Sequence, residues 1–111
     1  MSLMSDFSFF VQKSLDALFS GLLPLEDQGV ELEESSMGLK IILPDQKIYV
    51  IHGHLDLQQL WVSSPLSGGW HFVLDPILGQ WKDTRGHQTL EEFFLKEFHK
   101  FELPSFLVRI L

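Results

Sequence analysis

The stretch Gln59-Leu60-Trp61-Val62-Ser63-Ser64-Pro65-Leu66-Ser67-Gly68 decides how the middle of this chain folds. Leu60 and Val62 alternate with polar or aromatic residues, and a period of two predicts a strand with one apolar and one polar side. The Pro and Gly that follow are typical of a turn. We therefore expect a strand whose polar side presents the indole of Trp61.

The same period of two continues on both sides of this stretch. Strands are predicted at 30–33, 39–43, 48–51, 60–62, 70–74 and 80–82, and turn-forming residues separate them. One of the breaks is expected around His52-Gly53-His54. Consecutive strands joined by short turns predict an antiparallel meander.

Apolar residues recur at helical spacing near both ends of the chain. A first amphipathic helix is predicted over 6–23, and Gly21 and Pro24 end it. Thr89 and Glu92 have the spacing of a capping box, so a closing helix is expected to start near Leu90. Its apolar stripe comprises Leu90, Phe93, Phe94, Phe98 and Phe101.

Helix, strands and helix in this order predict one α+β domain over 1–111, with its core at about 6–103. The expected fold is a two-layer α/β sandwich, an antiparallel sheet of five to seven strands with the N- and C-terminal helices on one face. The apolar segment 104–111, with Phe106, Leu107 and Ile110, is expected to pack on this core.

Composition excludes several kinds of function. The 111 residues contain no cysteine, which rules out disulfides, thiolate metal sites and cysteine nucleophiles. Fifteen acidic residues against eight basic ones give a net charge of −7, which repels nucleic acids and attracts cations or basic proteins. No membrane-spanning run, secretion signal or transit peptide is present, so we expect a soluble intracellular protein without membrane or nucleic-acid partners.

Tyr49-Val50-Ile51, followed by the stretch 59–68, resembles the signature segment of the frataxin family, in which Gln-hydrophobic-Trp-hydrophobic-Ser-Ser-Pro-x-Ser-Gly follows a Tyr-Val-Ile strand. The rest of the family pattern agrees in order along about 6–103. It comprises Leu15-Asp16-Ala17-Leu18 on a helix, Glu31 and Glu33 on a strand, Trp81 followed by Arg85-Gly86, and a helix from Leu90.

The resemblance implies a protein of iron–sulfur cluster assembly that docks on the cysteine desulfurase and scaffold complex and binds iron weakly. It implies that Asp16, Asp27, Glu31 and Glu33 bind Fe²⁺ or Fe³⁺. It also implies that the sheet surface with Gln59, Trp61 and Ser63 faces the assembly partners. The chain would be a monomer that can oligomerise with iron, in the bacterial cytoplasm or, as a processed chain, in the mitochondrial matrix.

The same acids also fit a simpler interpretation, in which they form a solvated surface. Ser20, Leu23 and Pro24 stand where the family's acidic ridge would continue. Iron binding is therefore expected to be weaker, or shifted toward Asp27, Glu31, Glu33 and Glu34. Trp61 also has an alternative, in which its ring covers the sheet and packs on a neighbour such as Trp70 or Trp81 instead of contacting a partner.

His52, His54 and His71 stand outside the family pattern, because the family has Asn-Lys-Gln where this chain has His52-Gly53-His54. They could hold a transition metal, but two histidines in a turn are more often ordinary surface residues. Asp6, Asp16 and Glu97 could be an acid/base group, yet no nucleophile accompanies them.

Two alternatives to an iron-binding assembly protein remain. One is a ferroxidase or iron-storage protein, and the other is an interaction-only regulator without iron.

Overall fold

A computed structural model of the protein describes residues 3–86 and 88–100, with side chains from Asp6 onward. These residues form one α-helix, six strands and a second α-helix, with a 3-10 helix after the first. In chain order these are α1 (Leu3–Leu22), a 3-10 helix (Leu23–Gln28), β1 (Glu31–Ser35), β2 (Gly38–Ile42), β3 (Ile48–His54), β4 (Gln59–Ser64), β5 (Gly68–Asp75), β6 (Gln80–Asp83) and α2 (Leu90–Lys100). The predicted packing of 104–111 lies outside the described residues.

All six strands belong to one antiparallel sheet in the order of the sequence. Both helices pack on the same face, which confirms the predicted α+β sandwich. Within the described part of the chain, neither helix is both long and apolar enough to span a membrane.

The core lies between the helices and the sheet face that they cover. Alternate strand residues such as Leu60, Val62 and Phe72 point into it and are fully buried, because successive side chains of a strand point to opposite faces. Aromatic rings from α2 fill the centre, with the rings of Phe94 and Phe98 each 5.9 Å from that of Tyr49. Helix α2 begins with the predicted capping box, in which the Thr89 and Glu92 side chains each accept the other residue's backbone N–H.

Strand β3 continues to His54, so the predicted break at His52-Gly53-His54 is wrong. Gly53 lies in the buried side of the strand, and its N–H donates to the carbonyl of Met37 at 2.8 Å. A Cβ at this position would come within 3.0 Å of side-chain carbons of Met37 and Val11. The glycine therefore allows helix α1 to approach the sheet closely, and it does not form a turn.

Candidate functional site

The sheet face away from the helices is open, and we call it the outer face. It is formed by the alternate strand residues that do not enter the core. From β1 to β6 these include Glu31, Glu33, Lys40, Val50, His52, His54, Gln59, Trp61, Ser63, Gly69, His71, Val73 and Lys82. The predicted partner residues Gln59, Trp61 and Ser63 lie together at its centre, on β4.

Trp61 is fixed in place on this face by residues of its own and both neighbouring strands. The His54 ring of β3 stacks on the indole with a centroid distance of 4.5 Å, and the His71 ring of β5 stacks on it at 4.6 Å. The indole N–H donates to Oε1 of Gln59 at 2.9 Å. Trp61 is thus a pre-positioned aromatic group, partly exposed, which suits contact with a protein partner.

Trp61 packs on neighbouring side chains of the sheet, as its alternative interpretation expected, but these neighbours are His54 and His71 and not Trp70 or Trp81. The Trp70 ring lies 5.5 Å from Phe93 of α2, and the Trp81 ring lies 5.7 Å from Phe7 of α1. Both tryptophans therefore face the helices, on the opposite side of the sheet from Trp61. His54 and His71, and not the tryptophans, stack on the Trp61 ring.

A cavity of about 230 Å³ adjoins Trp61 on the outer face. Ser63 and Gly69, which pair across β4 and β5, are small, whereas the paired Trp61 and His71 next to them are large. A Cβ added to Gly69 would meet no atom within 4 Å. The fold does not require a glycine there, and a bare strand backbone of this kind often marks the approach of another molecule.

The three histidines do not converge on a metal position. His54 and His71 stack on the Trp61 indole from different strands, and Nδ1 of His54 accepts the N–H of Leu57 at 3.3 Å. Within residues 3–86 and 88–100, no group of three or more histidine or carboxylate side chains could hold a metal ion.

The four predicted iron ligands are exposed and lie on three different elements. Glu31 and Glu33 of the edge strand β1 point to the outer face, where Glu33 pairs with Lys40 at 3.6 Å. Asp16 of α1 accepts a hydrogen bond from Gln12 at 2.8 Å. Asp27 lies on the 3-10 helix. We call these four exposed acids the acidic edge, after the edge strand β1, and they do not form an enclosed site.

Glu34 lies on the other side of β1 from Glu31 and Glu33. Together with Gln12, it lines a small cavity of about 50 Å³ between α1 and the edge of the sheet. Gln12 also donates to Asp16, so Gln12 connects this cavity with the acid of the helix. The alternation of β1 could have placed Glu34 on the side of α1, because positions 32 and 34 share one face.

The turn after β4 is fixed to α2 by the buried carboxylate of Glu97, which is only 4% exposed. The Tyr49 and Ser67 hydroxyls donate to Glu97 at 3.0 Å each, and the Ser64 hydroxyl donates to it as well. Ser64 in turn accepts the N–H groups of Leu66 and Ser67. The Ser64-Pro65-Leu66-Ser67 part of the signature stretch thus has a structural reason, because the Ser64 and Ser67 hydroxyls join α2 to the turn.

The same network keeps Tyr49 protonated. Burial raises the pKa of the Tyr49 hydroxyl, and the negative charge of Glu97 raises it further. Tyr49 therefore remains a hydrogen-bond donor at physiological pH. Glu97, one of the candidate acid/base residues, thus has a structural role: it accepts hydrogen bonds inside the protein.

These features define a class of protein: a small α+β domain with an exposed aromatic residue on its open sheet face and an acidic edge. A model of the frataxin-like domain matches residues 2–101. The chain therefore belongs to the frataxin-like family, as the signature segment predicted.

Individual relatives agree with this membership. The mitochondrial frataxin of Dictyostelium discoideum is 33% identical over 72 residues, which make up 65% of this chain and 37% of that protein. Yeast frataxin has a TM-score of 0.73 at 25% identity, over 88% of this chain and 81% of the other. The trimeric frataxin from the yeast Saccharomyces cerevisiae, complexed with ferrous iron, has a TM-score of 0.69 at 27% identity, over 82% and 83%.

Proposed function

We propose that this protein docks on the cysteine desulfurase and scaffold complex of iron–sulfur cluster assembly and modulates sulfur or iron delivery there. The observation that carries the proposal is Trp61, which two stacked imidazoles hold on an open sheet face within the family's signature segment. Partly exposed, rigid aromatic residues are typical centres of protein interfaces. The cavity over Ser63 and Gly69 offers room beside it for a side chain of the partner.

Weak iron binding at the acidic edge is the second part of the proposal. Carboxylate oxygens are suitable ligands for Fe²⁺ and Fe³⁺, and exposed carboxylates on separate elements would hold the ion loosely. The ferrous complex of the trimeric yeast relative supports iron binding, and its trimer supports oligomerisation with iron. We assign Asp16, Asp27, Glu31 and Glu33 to this edge and add Glu34 from its place beside α1.

The open arrangement of these acids favours docking over catalysis. A ferroxidase would need two irons held close together, whereas no group of three ligands exists among the residues that the structure describes. An interaction-only regulator uses the same docking face without iron. The compartment would be the bacterial cytoplasm or the mitochondrial matrix, the latter in line with the name of the Dictyostelium relative.

Reversing the charge of the acidic edge should weaken docking without unfolding the domain. The double variant Glu31→Lys/Glu33→Lys is expected to lower the affinity for the desulfurase by about tenfold at low salt, because exposed interface charges act mainly on association. The loss should shrink as salt screens the charges. Binding of the wild type and of the variant to surface-immobilised desulfurase is measured at several salt concentrations.

The control is the double variant Asp56→Lys/Glu91→Lys. It makes the same change of net charge at two exposed acids that lie outside β1. It should keep most of the affinity. Equal affinity of wild type and Glu31→Lys/Glu33→Lys at low salt would refute the electrostatic role of this edge.

A further inference from the structure

A second cavity, of about 350 Å³, lies where the chain leaves β6 and enters α2. Trp70, Asp83, Arg85, Gly86, Gln88 and Lys96 line it. Its volume falls within the range of small-molecule sites in proteins, roughly 300–1,000 Å³. Two cationic side chains border it, in a protein with a net charge of −7.

Arg85 is held rigidly at this cavity. Its guanidinium lies 3.8 Å from the centroid of the Trp70 ring, and its Nη2 donates to the carbonyl of Gly69 at 2.7 Å. A guanidinium has five N–H donors, so most of them remain available after this one bond. Lys96 approaches from α2, with its Nζ 3.3 Å from Oε1 of Gln88.

The acidic residues near these two cations are already engaged. Asp83 is 1% exposed, and its carboxylate accepts the backbone N–H groups of Arg85, Gly86 and Gln88 at 2.7, 2.6 and 2.9 Å. Burial alone would raise the pKa of Asp83, but these donors outweigh it and hold the pKa below its usual value. Glu92, one helical turn before Lys96, accepts the N–H of Thr89.

No carboxylate in the described part of the chain lies within 4.0 Å of the Arg85 or Lys96 nitrogens, although three other lysines have such partners. The cavity therefore presents two positive groups and an amide. Asp83 and Glu92 attract Arg85 and Lys96 only at longer range, and both carboxylates are already bonded to backbone N–H groups. A planar guanidinium fixed by stacking is suited to bidentate hydrogen bonds with a carboxylate or phosphate.

We propose that this cavity is a binding site for a small oxyanion, with Arg85 and Lys96 as its cationic ligands and Gln88 as a neutral donor. The ligand carries a phosphate or a carboxylate group. The site is separate from the acidic edge but adjoins the outer face, because Trp70 borders both cavities and Arg85 bonds the Gly69 carbonyl. It does not depend on the proposed role in cluster assembly.

The test is a titration of the ¹⁵N-labelled protein with sodium phosphate and, separately, with sodium citrate, at constant ionic strength. We expect saturable shifts at millimolar concentrations in the amides of Arg85, Gly86 and Gln88 and in the indole N–H of Trp70. The anion that binds more tightly identifies phosphate or carboxylate as the preferred group. Arg85→Gln should weaken binding by about tenfold or more, since hydrogen bonds to charged groups are strong.

Lys47→Gln is the control, because it removes the same charge from a lysine that pairs with Asp45 in the turn between β2 and β3. It should leave the affinity unchanged. Shifts that do not saturate, or equal affinities in wild type and Arg85→Gln, would overturn the proposal. An unchanged unfolding midpoint of Arg85→Gln shows that the site, and not the fold, has been altered.

Discussion

Replacing Glu97 by alanine is expected to lower the free energy of unfolding by about 3 kcal/mol or more. The change removes the acceptor of the Tyr49, Ser64 and Ser67 hydroxyls. Loss of an acceptor by a buried donor costs about 1–3 kcal/mol, and this change weakens the bonding of the buried Tyr49 and Ser64 hydroxyls at once. Urea unfolding followed by tryptophan fluorescence measures the loss.

Two other substitutions locate the cause. Glu97→Gln keeps an acceptor oxygen and should lose less than Glu97→Ala. Glu91→Ala, at an exposed position of the same helix, should change the free energy of unfolding by less than about 1 kcal/mol. If Glu97→Ala is as stable as Glu91→Ala, the network does not hold the turn to α2.

Removing the Trp61 indole should have the largest effect on docking. Trp61→Ala is expected to reduce the affinity for the scaffold and desulfurase complex by about thirtyfold or more, since truncation of a central interface tryptophan typically costs about 2 kcal/mol or more. The domain should stay folded, because the indole lies outside the core. Isothermal titration calorimetry with the assembled complex measures the affinity.

Gly69→Leu tests the same face without removing any contact. The new side chain would fill the cavity beside Trp61, and a Cβ at Gly69 meets no neighbouring atom, so stability should be kept. We expect a loss of affinity comparable to that of Trp61→Ala. Ser20→Leu adds bulk at an exposed position of α1, in the other layer, and should have no effect. Full affinity in Gly69→Leu would show that the partner does not approach this part of β5.

The fold was predictable because local patterns agree with the packing. The two-residue period of β4 places Leu60 and Val62 in the core and Trp61 outside, as the structure shows. The capping box of Thr89 and Glu92 marks the start of α2 equally well. Each of these signals involves residues close in sequence, so sequence alone reveals them.

The features that sequence missed depend on distant partners. Glu97 bonds Tyr49 and Ser64, which lie 48 and 33 residues away. The stacking of His54 and His71 on Trp61 requires the register of three strands. Gly53 looks like a turn residue, and only the approach of α1 explains it. Contacts of this kind leave no local pattern.

Glu34 was missed for a different reason. The resemblance named Asp16, Asp27, Glu31 and Glu33 one by one, although the alternation of β1 already puts Glu34 on the same side as Leu32. In the structure Glu31 and Glu33 lie on the outer face, and Glu34 lies beside α1. The iron ligands therefore stay a prediction that only a metal titration can test.

That titration adds Fe²⁺ anaerobically to the ¹⁵N-labelled protein and follows the backbone amide signals, because paramagnetic broadening locates the ion as well as detecting it. We predict broadening confined to the amides around Asp16, Asp27, Glu31, Glu33 and Glu34, with Glu31→Lys/Glu33→Lys reducing it on β1. Broadening centred on His52, His54 and His71 would contradict the assignment and place the metal on the outer face. No broadening at all would contradict iron binding and leave a docking module that acts without the metal.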